Sequence, residues 1–199
     1  AKGGVCIVPL DLPGVSRGRP LDKMGQRALP QGEIHFDDVR IPARWMVVDP
    51  DAYIPTVELV LTLANAHMGT TFVGVAGAAY ELALDYARGR VQGGAPIADH
   101  PAVRSRLFKM FTKLEAARSL ARRVAMMGAA GVQPVRYSIA SKTFCTNAAF
   151  EVASEALQVF GGNGMAREYP IEKLLRDARA SMIEDGCNEM LSIVGGAKL

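Results

Sequence analysis

The spacing of apolar residues divides the chain into a β-rich beginning and a helical remainder. Residues 5–8 form an apolar run that predicts a buried strand, and residues 33–36 alternate so that Ile34 and Phe36 should face inward. From residue 53 onward, apolar positions recur every three or four residues, as in helices that bury one side. We predict a multi-domain α and β chain, with antiparallel β structure at 1–49 and an all-α antiparallel helix bundle of the four-helix kind at 50–199.

Glycine and proline residues mark where the helices are expected to end. A Gly-Gly pair at 93–94 follows the first helix, a second pair at 161–162 follows the third, and Pro170 suits the first position of a shorter one. No strand is expected after residue 53. The expected helices are residues 55–90, 101–128, 135–160, a short one from Pro170, and 188–194.

One run without charged residues, 59–80, is long enough to cross a bilayer. It nevertheless contains the polar residues Thr62, Asn65 and His67 together with several glycines, and no basic cluster flanks it. We therefore interpret this run as a helix buried among other helices, and we expect no membrane partner.

Charge and composition argue against nucleic acid binding. The 199 residues carry a net charge of only +3, and the densest basic group is Arg118, Arg122 and Arg123. These arginines lie at helical spacing beside apolar residues, and aromatic residues make up only 7% of the chain. A solvated helix face explains them, so we expect no nucleic acid partner.

The cysteines indicate an intracellular protein, and the first residues indicate a piece of a longer one. Cys6, Cys145 and Cys187 are odd in number and show no Cys-x-x-Cys spacing, so we expect reduced thiols and no metal site. The chain begins at Ala1 without an initiator methionine and enters directly on a strand-like run.

A glycine turn and an arginine are the first candidates for binding chemistry. The Gly-Gly-Asn-Gly turn at 161–164 tolerates positive φ, and its backbone can approach a phosphate. The alternative is a helix C-cap and nothing more. Arg90 ends the first expected helix, where a guanidinium can hold a pyrophosphate by two hydrogen bonds or can simply complement the helix dipole.

An acidic pair, Glu184 and Asp185, precedes Gly186 at a junction between helices. Neighbouring side chains point in different directions, so at most one carboxylate would face a site. The structural alternative for Asp185 is an N-cap of the last helix. The alternating charges at 176–179 are interpreted as local ion pairing on a short helix.

Taken together, these segments resemble the acyl-CoA dehydrogenase family. Residues 158–164 (QVFGGNG) and 168–178 (EYPIEKLLRDA) are similar to its C-terminal signature, and 22–27 with 34–42 are similar to the end of its middle β-domain. The resemblance covers essentially all of the chain. It implies that 1–49 is a partial β-domain whose first half, with an N-terminal helical domain, precedes Ala1, and that this piece alone is inactive.

The resemblance implies an FAD enzyme of fatty acid metabolism that acts on an acyl-CoA substrate. In this family a carboxylate removes the proton next to the thioester carbonyl while the β-hydrogen leaves as hydride to the flavin. The enolate-like charge then needs hydrogen bonds, and the base needs burial to raise its pKa. The further implications are a homo-oligomer (dimer or tetramer), an electron-transfer flavoprotein as acceptor, and a cytoplasmic location, or the mitochondrial matrix in a eukaryote.

The same resemblance assigns roles to individual residues. Asp185 takes the position of the catalytic base, with Glu184 as the runner-up, and the substrate-binding positions are Asn65 and Gly186. Arg90 matches an arginine that contacts the flavin nucleotide across a subunit boundary. The other cofactor-binding positions are Gln158, Gly161, Gly162, Gly164, Cys187 and Glu189.

Departures from the family pattern leave three hypotheses. Many members carry Glu at the base position, and Asp185 is shorter by one methylene, or roughly 1.5 Å of reach. A dehydrogenase for an alicyclic or otherwise unusual acyl group accounts for the shorter base. A flavin oxidase similar to nitroalkane oxidase is the first alternative. A non-catalytic binding or assembly module is the second, and Cys187 and Glu189, which replace the usual Thr and Gln, favour it.

Overall fold

The computed structural model describes residues 3–132 and 134–199 and forms two compact units, Ala1–Leu61 and Thr62–Leu199. The strands are β1 (Val5–Cys6), β2 (Val15–Arg17), β3 (Ile34–Phe36), β4 (Met46–Val48), β5 (Val91–Gln92) and β6 (Ala95–Pro96). The helices are α1 (Tyr53–Gly89), α2 (Pro101–Ala129), α3 (Val135–Phe160), α4 (Ile171–Ser181) and α5 (Asn188–Gly196). The β-rich beginning and the helical remainder are confirmed. The division after residue 49 stays a prediction, because α1 begins in one unit and ends in the other.

The first unit contains two separate antiparallel strand pairs, β1 with β4 and β2 with β3. The prediction that Ile34 and Phe36 face inward is wrong, since they are 46% and 56% exposed. The buried strand at 5–8 is also wrong, because β1 ends at Cys6 and Ile7 is 62% exposed. A strand residue is buried only when a second layer covers its face of the sheet, and the described part of this unit supplies no such layer.

The second unit is a helical bundle in which α3 is central. It packs against α2, α4 and α5, and its ends coincide with the predicted 135–160. One buried cluster joins α1, α2, α3 and α4, and much of its lining is alanine, which lets helices approach closely. Its larger members are Met68, Phe72, Leu107, Met110, Leu114, Val152, Phe160 and Ile171.

Helix α1 is long and apolar enough, by length and composition, to cross a membrane. Its buried positions nevertheless follow one stripe at intervals of three or four residues, and this stripe belongs to the core shared with α2 and α3. The stripe consists of Met68, Phe72, Ala76, Ala79, Ala83 and Ala87. This pattern fits a helix that buries one side in a bundle, although only 33% of its most apolar stretch is buried.

A short hairpin after α1 contradicts the expectation that no strand follows residue 53. Strand β5 pairs with β6 through Val91 opposite Pro96 and Gln92 opposite Ala95. Gly93 and Gly94 form the loop between them, with φ of 62° and 84°. Two-residue hairpin loops favour positive φ at both positions. The glycine pair therefore turns the chain back, and α1 has already ended at Gly89.

Two glycines of α1, Gly69 and Gly74, should respond to alanine substitution with stability changes of opposite sign. A Cβ at Gly69 would lie 2.3 Å from Ser141 Oγ and 3.1 Å from the Ser141 carbonyl oxygen, whereas a Cβ at Gly74 would meet nothing within 4 Å. We expect Gly69→Ala to lower the free energy of unfolding by about 1–3 kcal/mol through overpacking. The matched Gly74→Ala should raise it by up to about 1 kcal/mol through helix propensity.

Thermal unfolding of both variants checks this prediction. Both replace one glycine by alanine in the same helix, so propensity alone would shift both midpoints upward by similar amounts. Equal shifts would contradict the close packing of α1 against α3 at Ser141.

Candidate functional site

An open cavity of about 650 Å³ lies in the second unit, at the end of α1 and of α3. Its lining brings together four of the predicted cofactor-binding residues, namely Arg90, Gln158, Gly161 and Gly162. These residues are far apart in sequence, and they meet because α1 and α3 end on the same side of the bundle. Gly164 does not line this cavity.

The cavity is lined by basic rather than acidic side chains. Arg90, Arg106 and His100 face it, and no Asp or Glu is among its lining within residues 3–132 and 134–199. Arg106 is paired with Glu155, and His100 Nε2 lies 2.9 Å from the Gln92 carbonyl oxygen. The Arg90 side chain is exposed, and the described residues offer its guanidinium no ion pair. The cavity therefore suits an anionic group, and Arg90 is the residue best placed to bind it.

Hydrogen bonds on both sides hold the backbone of Arg90. Its N–H donates to the Tyr86 carbonyl at 2.9 Å, which continues α1, and its carbonyl accepts from the Ile97 N–H at 2.7 Å. The β5–β6 hairpin lies between these two contacts. Because the backbone is held on both sides, the side chain starts from a defined point at the mouth of the cavity.

The glycine turn is both a helix cap and a cavity wall. Gly161 has φ of 61°, and its N–H donates to the carbonyls of Leu157 and Gln158. A Cβ at Gly161 or Gly162 would meet nothing within 4 Å, so the open side of these glycines is available to a ligand. A Cβ at Gly164 would lie 2.7 Å from the Leu157 carbonyl oxygen. Gly164 therefore lets the turn pack on α3.

Asn163 holds the turn against an aromatic cluster. Its Nδ2 donates to the hydroxyl of Tyr86 at 3.0 Å and to that of Tyr169 at 3.3 Å. Tyr86 is stacked on Phe160 with ring centroids 4.2 Å apart. These contacts make one wall of the cavity rigid, and they depend on tertiary packing that the sequence motif alone does not reveal.

The acidic pair lies on the turn between α4 and α5. Asp185 has φ of 50° and Gly186 has φ of 94°, and both are exposed, whereas Glu184 is half-buried. The N-cap alternative for Asp185 is wrong, because Cys187 occupies the cap position of α5. Asp is among the few residues that adopt positive φ at modest cost. The carboxylate of Asp185 is thus presented outward, and the described residues do not bury it as a base requires.

Lys142 is a residue of this region that sequence analysis missed. It is fully buried in α3, and its Nζ donates to the Gly186 carbonyl at 2.7 Å and to Asn188 Oδ1 at 2.8 Å. Burial lowers the pKa of Lys142, while Glu184 and Asp185 act to raise it. The sequence did contain a signal for it. Lys142 lies at helical spacing with Ser138, Ser141, Cys145 and Ala149, which are buried on the side of α3 that faces the core.

The remaining candidates lie in different surroundings. Asn65 is only 3% exposed, and its Oδ1 has no hydrogen-bond partner among the described residues, so its substrate role stays a prediction. Cys187 is half-buried and Glu189 exposed at the start of α5, and neither lines the cavity. Burial raises the pKa of Cys145 to about 11, so this thiol stays protonated and packs as a core residue.

Two of the charged residues at 176–179, Arg176 and Asp177, belong to local ion pairs. Arg176 Nε donates to Glu172 Oε2 at 2.6 Å, and Lys173 Nζ donates to Asp177 Oδ2 at 2.9 Å. Both pairs have the four-residue spacing that brings side chains together on a helix. The hydrogen bond from Arg176 lowers the pKa of Glu172. The interpretation of this segment as local ion pairing is confirmed for Arg176 and Asp177.

Comparison with known proteins identifies the domain. Residues 56–199 match the model of the acyl-CoA dehydrogenase C-terminal domain. The chain belongs to the acyl-CoA dehydrogenase family. This match confirms the resemblance seen in the sequence. Members of the family are FAD-dependent flavoproteins.

Three similar proteins of the family share about half of their length with this chain. It is 30% identical to cyclohexane-1-carbonyl-CoA dehydrogenase of Geobacter metallireducens over 94% of the chain and 50% of that protein. It is 31% identical to cyclohex-1-ene-1-carbonyl-CoA dehydrogenase of Syntrophus aciditrophicus over 100% of the chain and 49% of that protein. The structure of butyryl-CoA dehydrogenase from Megasphaera elsdenii matches with a TM-score of 0.92 at 30% identity, covering 96% of this chain and 50% of that one.

The cavity residues fit the dinucleotide cofactor of acyl-CoA dehydrogenases. The pyrophosphate of FAD is an anion, and the cavity offers it an exposed guanidinium at Arg90 without a competing carboxylate. Gly161 and Gly162 leave space for close approach to their backbone. Glu189 is less suited to a phosphate because of its charge, although its carboxylate can accept from a ribose hydroxyl.

Proposed function

We propose that the protein removes hydrogen from the α and β carbons of an acyl-CoA thioester, with Asp185 as the base for the α-proton. One observation carries this proposal. A single acyl-CoA dehydrogenase C-terminal domain contains a cavity lined by basic side chains, with no carboxylate among its described lining, and also a carboxylate exposed on a turn. The first feature suits a nucleotide cofactor, and the second suits a proton acceptor.

The residues of this chain divide the work between binding and proton transfer. When bound, FAD supplies the hydride acceptor. Arg90 holds the anionic part of the cofactor, and Gln158 with the glycine turn forms the surface on which the cofactor lies. Asp185 accepts the α-proton, and Gly186 keeps the space beside the base free of a side chain. The exposed Asp185 becomes a useful base when cofactor and substrate cover it and exclude water.

A ring-containing acyl group is the substrate class that we propose. Asp185 reaches roughly 1.5 Å less far than a glutamate would, so the α-carbon must lie closer to the turn. The names of two similar proteins, cyclohexane-1-carbonyl-CoA and cyclohex-1-ene-1-carbonyl-CoA dehydrogenase, support an alicyclic substrate. Geometry matters here because a misplacement of about 1 Å can cost 10²-fold in rate.

The reaction needs an acceptor for the electrons of the reduced cofactor, and the protein is expected to act as an oligomer. We propose an electron-transfer flavoprotein as acceptor and a homodimer or homotetramer as the assembly. An assembly is supported by the exposed position of Arg90, which lines an open cavity.

Anaerobic bleaching of the flavin absorbance tests the proposed function in the complete protein. We expect bleaching with cyclohexane-1-carbonyl-CoA, slower bleaching with straight and branched acyl-CoA thioesters of similar size, and slow reoxidation in air. Rapid peroxide formation on aeration would instead establish a flavin oxidase. A purified complete protein without a flavin spectrum that binds no added FAD would overturn the proposal in favour of a non-catalytic module.

A further inference from the structure

Lys142 is a completely buried cation whose two hydrogen-bond acceptors lie at the acidic turn. Its side chain has 0% exposure on α3, and Nζ donates to the Gly186 carbonyl and to Asn188 Oδ1 at 2.7 and 2.8 Å. Removing an ammonium from water is costly unless other groups replace its hydration. A lysine in this place therefore indicates a specific need for its charge or for its hydrogen bonds.

Asn188 extends this contact into a network between α3 and α5. Its Nδ2 donates to Thr146 Oγ1 at 2.9 Å and to Asn147 Oδ1 at 3.1 Å, and its backbone N–H donates to the Met182 carbonyl at 3.0 Å. The bond to Met182 closes residues 182–188 into a loop. Lys142 binds inside that loop, at the carbonyl directly after Asp185.

The backbone at this point needs such support. Asp185 and Gly186 both have positive φ, and a Cβ at Gly186 would lie 3.2 Å from the Leu191 side chain. A non-glycine residue in this conformation persists when its surroundings hold it there. Lys142 and Asn188 hold it through hydrogen bonds from the side of the turn that faces the bundle.

We propose that Lys142 is a positioning residue for Asp185, which fixes the turn through the Gly186 carbonyl and Asn188 and so sets where the carboxylate meets the substrate. This inference rests on the function proposed above. Lys142 touches neither substrate nor cofactor in this arrangement, because its side chain is buried beneath the turn.

The charge of Lys142 has a second consequence. Glu184, Asp185, Cys187 and Glu189 all interact electrostatically with it, so one buried cation faces the titratable groups of the turn and of the first turn of α5. Its removal should therefore weaken the electrostatic contact between α3 and the turn that carries Asp185.

Lys142→Met in the complete flavoprotein tests the proposal, because methionine keeps a long side chain and removes the charge and the donors. We expect kcat to fall about 100-fold, as for a base displaced by roughly 1 Å, with little change in KM or in FAD content. Lys109→Met, the same substitution at an exposed position of α2, should change none of these quantities.

Hydrogen–deuterium exchange provides a readout that does not need turnover. In Lys142→Met, amides of residues 182–190 should exchange at least about tenfold faster, while those of α2 keep their rates. Asn188→Ala, which removes one of the two acceptors, should show the same effects to a smaller degree. This second variant keeps the proposal testable if Lys142→Met does not fold.

A double-mutant cycle separates positioning from general destabilisation. If Lys142 acts through Asp185, Lys142→Met should lower the single-turnover rate little further in an Asp185→Asn background. Full additivity, or a Lys142→Met protein with unchanged kcat and unchanged exchange, would overturn the positioning role alone. A parent protein that no acyl-CoA thioester bleaches would instead overturn the proposed function.

Discussion

Asp185→Asn is expected to slow flavin reduction by substrate about 10²- to 10⁴-fold while FAD stays bound, because the amide cannot accept the α-proton. The substitution suits the turn. Asn matches Asp in shape, and it tolerates the positive φ of 50° that residue 185 adopts. Loss of activity would therefore reflect lost proton transfer rather than a rearranged backbone. Anaerobic stopped-flow reduction gives the rate, and the ratio of flavin to protein absorbance gives the occupancy.

Glu184→Gln is the matched control for this experiment. It removes the neighbouring carboxylate of the same turn, and Glu184 is half-buried where Asp185 is exposed. We expect its rate to stay within about threefold of the parent, as for a carboxylate that does not reach the substrate. If Glu184→Gln is the inactive variant and Asp185→Asn is active, the base is Glu184.

Arg90→Gln is expected to weaken FAD binding about 30-fold or more, which corresponds to about 2 kcal/mol, because the anionic part of the cofactor loses its charged partner. Arg90 is exposed at the mouth of the cavity, its backbone is held by Tyr86 and Ile97, and no carboxylate lines the described cavity to replace it. Titration of the apoprotein with FAD, followed by flavin fluorescence, gives the dissociation constant.

Arg88→Gln serves as the control for Arg90→Gln. Arg88 lies two residues earlier at the end of α1, is exposed, and pairs with Asp85 at 3.9 Å rather than lining the cavity. Its substitution removes the same charge from the same helix end, so a general electrostatic effect would weaken FAD binding in both variants. Equal dissociation constants for the two variants would show that the cavity does not bind the cofactor through Arg90.

Local signals explain which elements were predicted correctly. The ends of α3 follow from Pro134 before it and Gly161 after it, and the start of α2 follows from Pro101 at its first position. Proline and glycine act on their own backbone, so their effect needs no knowledge of the rest of the chain. The ion pairs of α4 were predictable for the same reason, since a four-residue spacing is enough to form them.

Contacts between distant segments explain what was missed. Ile34 and Phe36 alternate as buried strand residues do, yet their burial depends on a second layer that the pattern cannot supply. Lys142 falls in the buried stripe of α3, but its partners Gly186 and Asn188 lie more than forty residues away. Its importance appears only when α3, the turn and α5 are packed together.

The sequence by itself predicted the helical domain, because helix periodicity and turn chemistry are encoded over a few neighbouring residues. The family, and with it the candidate groups Arg90, Asp185 and the glycine turn, came from the resemblance of whole segments to known proteins. Only the tertiary structure decided which of these groups share a site. It brought Arg90, Gln158 and the first two glycines to one cavity, assigned Gly164 to packing, and placed a buried lysine under the turn of Asp185. Those outcomes depend on how helices distant in the sequence end beside one another, which is a property of their packing.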